Sequence, residues 1–366
     1  MHVGMSSIFQ GFGGSLSDRE VWEADLRLAD LAEPLGFESI WSVEHHFSNY
    51  TMCPDVLQFL TYMAGRTKTV KLGSMVLVLP WHDPVRVAEQ ILLLDHMSQG
   101  RFILGLGRGT GKIEFDGFRV EMGQARQQFK ESAEAILGAL ETGVMEYHGE
   151  FVDQPRIELH PQPFATFKGR TYSATVSPES AEIMAKLGTG VLIVPQKPWR
   201  LVKEETEVYR TTYRESIGEE PPAPIVAGWT FVDDNADRAE EQARQWLGGY
   251  WDSVIAHYEF DKPHLKSTKG YEFHGQMYDR LNEPGGQERM TEFYIGLQPF
   301  GTPEQVFEKT KAFCDLVGAD GYIGVFRYGG MPAAEAERSM RLFAREVMPE
   351  LQALAPAIER LEHIRA

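Results

Sequence analysis

Eight times along this chain a short run of strand-forming residues gives way to a stretch with helical apolar spacing. That repeat restricts the fold more than any single motif does. A strand, a crossover helix and a second strand in the same direction make the unit of a parallel sheet. Eight such units with no internal break fit one closed α/β structure, a (β/α)8 or TIM barrel, better than two domains. The 366 residues suffice for that barrel with insertions, so a single domain over residues 1–366 is expected.

Strands are predicted at His2–Ile8, Ser39–Val43, Val70–Leu79, Arg101–Gly107, Thr171–Val176, Val191–Val194, Pro224–Val232 and Gly321–Phe326. Val70–Leu79 is nearly all apolar, as in a strand covered on both faces. Ser17 with Glu20 reads as a capping box for a helix that Pro34 and Gly36 close. Pro54 is expected in the first turn of the next helix, and Gly100 caps the one opened by Pro84. A strand pair is predicted around Glu146–Val152 and Arg156–Leu159. Phe260–Phe300 is long, polar and Gly-rich, a pattern that fits a functional lid or a disordered segment.

The net charge of −17 disfavours nucleic acid and anionic membranes as partners. Two cysteines, Cys53 and Cys314, give neither a disulfide framework nor a zinc knuckle. The start Met1-His2-Val3-Gly4 has no signal-peptide pattern, and no apolar run reaches the roughly 18 residues of a membrane span. A cytoplasmic protein is the simplest expectation.

Chemistry is expected at the strand ends, where a (β/α)8 barrel gathers its loops. Trp41–Asn49 contains the adjacent His45 and His46. On extended backbone they point to opposite sides, so one of them is expected to face a cavity. A structural histidine and an acid/base or hydrogen-bonding group are both open readings for His45, and no nearby ligand pattern favours a metal. Ser177-Pro178-Glu179-Ser180 opens a helix directly after a strand, and such a terminus suits phosphate. Arg108, held between Gly107 and Gly109 on the neighbouring strand end, would complete an anion clamp. The spacing of Gly105, Gly107 and Gly109 does not match a dinucleotide fingerprint. Met75-Val76 by itself reads as core.

Several of these segments resemble the bacterial luciferase-like flavin monooxygenases. They are Glu44-His45-His46-Phe47, Leu94–Phe102 with Gly105 and Arg108-Gly109, Gly301-Thr302-Pro303-Glu304, and Val347-Met348-Pro349. The likeness runs from Gly4 to about Pro349 and is nearer the luciferase catalytic subunit than the deazaflavin-using branch. It implies a TIM barrel with a mobile lid at about residues 260–300, and reduced FMN as co-substrate. It implies oxygenation through a flavin hydroperoxide, inserting one oxygen atom into an apolar aldehyde, ketone or terpene-like substrate. By the same resemblance His45 is catalytic. Arg108, Ser177 and Ser180, with Val176 beside them, form the FMN phosphate site. Met75–Val76 is a non-prolyl cis peptide under the flavin ring, and Gln196 touches that ring. A separate NAD(P)H-dependent flavin reductase and a homodimer, or half of a heterodimer, are implied as well. The alternatives are a deazaflavin-dependent oxidoreductase and a non-catalytic flavin-binding partner subunit. One departure stands out: Gly107 lies where the luciferase catalytic subunit has a reactive cysteine, which bears on light emission rather than on flavin oxygenation.

Overall fold

The computed structural model describes residues 1–11, 16–174, 178–357 and 360. Eight parallel strands close on themselves. They are β1 (His2–Ser7), β2 (Ser39–Ser42), β3 (Lys71–Ser74), β4 (Phe102–Gly107), β5 (Thr171–Ala174), β6 (Gly190–Ile193), β7 (Ile225–Trp229) and β8 (Gly321–Val325). The order round the barrel is β3-β2-β1-β8-β7-β6-β5-β4, and the pairs Leu72 with Phe102 and Gly73 with Ile103 join β3 to β4. The fold is therefore the expected (β/α)8 barrel.

The principal helices round it are α1 (Asp18–Leu35), α2 (Val56–Arg66), α3 (Pro84–Ser98), α4 (Ala125–Thr142), α5 (Pro178–Lys186), α6 (Trp199–Ile217), α7 (Ala236–Tyr258), α8 (Pro303–Val317) and α9 (Ala333–Leu342), with shorter helices in the connections. The capping box at α1 forms as expected between Ser17 and Glu20. Pro34 differs from expectation: it sits inside the last turn of α1, and Gly36 alone, with φ 92°, ends the helix. Pro54 likewise lies before α2 and not in its first turn, because Asp55 takes the N-cap and accepts from the Gln58 N–H. Gln99 in the left-handed region, not Gly100, is the first residue past α3.

Small residues let large ones fill the barrel. A Cβ at Gly73 would stand 2.3 Å from the Trp41 ring, so Gly73 makes room for that indole. Trp41 packs inside with Met75, Ile103, Leu192, Ile225, Ala227 and Ile323. Its Nε1–H donates to Ser39 Oγ at 2.7 Å.

One long sequence run differs from its predicted form. The apolar run Val70–Leu79 is not one strand: β3 stops at Ser74, the Met75–Val76 peptide is cis, and Leu77–Val78 resumes pairing with β4. The segment after α7 is largely helical, with His264–Ser267, Glu272–Asn282 and Gly286–Leu297. It buries His274, Leu281, Met290 and Tyr294, which accounts for its order despite a polar composition. No described helix is long and apolar enough to cross a membrane.

Candidate active site

A large cavity opens at the C-terminal ends of the strands, with about 1380 Å³ of empty space counting its mouth and open solvent.

One wall is built by the interruption in β3. The chain turns there so that Met75 and Val76 face the cavity. It turns against two glycines of β4. A Cβ at Gly105 would lie 1.8 Å from the Ser74 carbonyl oxygen, and one at Gly107 would lie 2.1 Å from Val76 Cγ2. Ser74 Oγ–H donates to the Gly105 carbonyl at 2.9 Å and holds the two strands together. A side chain at position 107 thus has no room here unless Val76 moves.

Arg108, Arg126 and Ser180 also line the cavity, and Lys197 stands nearby. They come from the end of β4, the start of α4, the start of α5 and the loop after β6. Val176 and Ser177 lie outside the described residues. Gln196 and Val194 line the cavity after β6. The structure therefore gathers Met75, Val76, Arg108, Ser180 and Gln196 round one space, together with His45.

His45 and His46 do point apart. His45 lines the cavity. His46 turns away, and its Nε2 donates to the buried Glu44 at 3.2 Å, as His82 does at 2.5 Å. Burial pushes the Glu44 carboxyl up, but these imidazole donors outweigh it and hold the pKa below the usual range. The other Glu44 oxygen accepts from the Val78 N–H at 2.7 Å, just past the break in β3. Glu44 therefore ties the histidine loop to the Met75–Val76 wall.

Sequence reasoning missed the partner of His45. A seven-residue helix, Lys112–Phe118, places the fully buried Glu114 beneath the ring. Glu114 Oε1 accepts from His45 Nδ1 at 2.9 Å and from the His46 N–H at 2.9 Å. His257, buried on α7, brings its Nε2 to 3.5 Å from the same oxygen, and its Nδ1 lies 2.9 Å from Ser48 Oγ. Burial raises the Glu114 carboxyl, yet His45 and His257 more than offset this and lower it to about 2. An ionised Glu114 fixes the proton on His45 Nδ1. Nε2 is then left as the basic atom, 3.4 Å from the Tyr258 hydroxyl. Burial keeps that phenol neutral and a donor. The donor atoms of His45, Glu114 and His257 all lie within 4.8 Å of one another and would suit a divalent cation in type. In this structure hydrogen bonds join His45 to Glu114.

The remaining wall is aromatic. Tyr50 stacks on His257 at 4.5 Å, and its hydroxyl lies 2.7 Å from that of Tyr250. Trp229 stands 4.7 Å from Tyr250, and Phe260 stacks at 5.3 Å on Tyr258. A row of rings therefore leads from the imidazole into an apolar recess. No sequence signal marked these tyrosines beyond their number.

The comparisons with known proteins agree with this architecture. The family model described as luciferase-like monooxygenase matches residues 1–320. The alkanal monooxygenase alpha chain of Aliivibrio fischeri is 29% identical over 326 residues, 87% of this chain and 90% of that one. Among solved structures, monooxygenase RslO1 from Streptomyces bottropensis is 26% identical with a TM-score of 0.79, covering 96% of this chain and 99% of its own. The oxygenating constituent of 3,6-diketocamphane monooxygenase from Pseudomonas putida, solved with FMN, is 21% identical with a TM-score of 0.75, covering 97% and 99%. That last likeness speaks for the fold alone.

Proposed function

Because the chain belongs to the luciferase-like monooxygenase family, we propose that it is a two-component flavin-dependent monooxygenase. It would receive reduced FMN from a separate NAD(P)H-dependent reductase and place one oxygen atom of dioxygen on a small apolar substrate. The observation that carries this reading is the division of one cavity: a cationic end, a Met75–Val76 wall, and an aromatic end, with the half-buried His45 imidazole among them.

The donor set fits the cofactor. Arg108 and Ser180, with Ser177 and Val176 outside the described residues, would hold the phosphate. Met75–Val76 would support the ring, with Gln196 at its edge. When bound, reduced flavin supplies the activation of dioxygen and the transfer of oxygen. The protein supplies position and dryness. The wall of Tyr50, Trp229, Tyr250, Tyr258 and Phe260 excludes water from the substrate end. His45 Nε2 accepts and returns a proton there, and the Glu114 carboxylate stabilises the imidazolium that forms. The helical segment from about 260 to 300 acts as the lid of a single barrel domain. The reading includes a homodimer and a cytoplasmic location.

The test is anaerobic photoreduction of FMN with the protein, followed by rapid mixing with oxygenated buffer. The expected result is a return to oxidised flavin much slower than that of free reduced FMN, with faster return when substrate is present. Tight binding of a deazaflavin with no effect on the FMN reaction would replace this reading with hydride transfer. Arg108→Ala should weaken FMN binding severalfold or more, and unaltered affinity would remove Arg108 from the phosphate site.

A further inference from the structure

We propose that His274, on the helix Glu272–Asn282, belongs to the anion-binding end of the cavity and donates to the phosphate monoester of the flavin, an inference that rests on the FMN reading.

Four observations converge on it. First, His274 lines the same cavity as Arg108, Arg126 and Ser180, although it comes from a segment far along the chain. Second, it is only 9% exposed, and among the described residues its Nδ1 has no hydrogen-bond partner. A buried imidazole nitrogen left unpaired costs stability, and a phosphate oxygen would satisfy it. Third, the residues before it are seated on the cations of that end. The Arg108 guanidinium lies 4.0 Å over the Tyr271 ring, and the Tyr271 hydroxyl donates to the Gly109 carbonyl at 2.9 Å. Arg126 donates to the Gly270 carbonyl at 3.1 Å, and Lys197 lies 5.4 Å over the Phe273 ring. Three elements of the barrel thus fix where His274 stands. Fourth, its surroundings suit an anion. Burial, then the positive charges of Arg108 and Lys197, push the His274 pKa to about 3.

Other groups face it without competing for its ring. Phe260, Tyr271 and Phe273 surround it at 5.9 to 6.5 Å. Glu272 is exposed and accepts from the Gly270 N–H at 2.9 Å, and Glu205 is paired with Lys197. A phosphate dianion entering among these groups would gain charge-assisted hydrogen bonds from the barrel and from the lid together. The lid would then be seated by the phosphate rather than by the ring of the cofactor.

The experiment compares binding of photoreduced FMN and photoreduced riboflavin, which lacks the phosphate, to the whole protein under anaerobic conditions. His274→Ala is expected to lower FMN affinity about tenfold or more, the scale of one hydrogen bond to a charged group, and to leave riboflavin affinity unchanged. His274→Asn places an amide N–H near the position of Nδ1 and should recover part of the loss. Unchanged FMN affinity in His274→Ala overturns the proposal. An equal loss for FMN and riboflavin also overturns it, because it would show a packing role for the lid helix. If the unaltered protein binds neither flavin, the FMN reading itself fails, and that result is distinct from the other two.

Discussion

At position 107 the chain leaves no room for a side chain. A Cβ there would stand 2.1 Å from Val76 Cγ2, on the wall that faces the cavity. Gly107→Cys is therefore expected to cost about 1–3 kcal/mol by overpacking, measured by chemical denaturation, and pairing it with Val76→Ala should recover most of the loss. A different effect is expected at Glu114. Glu114→Gln keeps the shape but loses the charge that fixes His45 in one tautomer. Product formation should fall about 10- to 100-fold while FMN affinity holds. Product yield equal to that of the unaltered protein would sink the role of the pair, and His45→Ala should lose most product in the same assay. The sequence made the divergence of His45 and His46 legible, because two adjacent residues on extended backbone must part. It did not make Glu114 or His257 legible. They lie 69 and 212 positions from His45, and only the closed barrel brings them together.

Two elements show why pattern reading stops short of a site. Val70–Leu79 is apolar throughout, so nothing in its composition marks the break at Met75–Val76. The glycines opposite it, Gly105 and Gly107, are the readable half of that contact, since each accepts a close approach of β3. Polarity and glycine content point to a functional lid or a disordered segment after α7. Gly270, Pro284 and Gly285 separate short helices that bury one face against the barrel. The Tyr271 hydroxyl ties this segment to the Gly109 carbonyl at the end of β4. Tyr271→Phe should loosen it by about 1 kcal/mol, seen as faster amide exchange across residues 259–299 with no change in β4. Unchanged exchange in the variant would mean that the segment's other contacts, the Arg108 and Lys197 stacking and the Arg126–Gly270 bond, hold it without the hydroxyl.

On the scale of the whole molecule, buried and half-buried histidines set the response to acid. Burial lowers the pKa of His274 to about 3 and of His2 to about 4, and it also lowers that of His257. The folded state therefore binds fewer protons than the unfolded chain below pH 6.5. The stability these groups permit is complete above that value and is lost as pH falls toward the folded values, at up to about 1.4 kcal/mol per unit for each group. Glu114, lowered to about 2, adds the same sign between about pH 4.5 and 2. His82, raised by Glu44 despite its burial, opposes the trend. Melting temperature should fall from pH 7 to pH 5, and His274→Asn should make that fall shallower. The outer surface bears on assembly. Tyr62 on α2 and Leu93 and Met97 on α3 are each more than half exposed, on two helices that pack together. This apolar face supports the proposed homodimer. Leu93→Arg with Met97→Glu is expected to give a monomer in sedimentation, and an unchanged dimer would place the interface elsewhere.

The two glycines opposite Met75 and Val76 carry a consequence for how such a chain can diversify. A descendant seeking a new substrate cannot alter the floor at positions 105 and 107 without dislodging the wall beside it. The tyrosines and tryptophan of the far recess lean on one another and not on the Met75–Val76 wall. Variation in appetite should therefore accumulate at Tyr50, Trp229, Tyr250 and Tyr258, while the floor stays frozen, and a mutant library that spares positions 105 and 107 should yield more active clones than one that includes them.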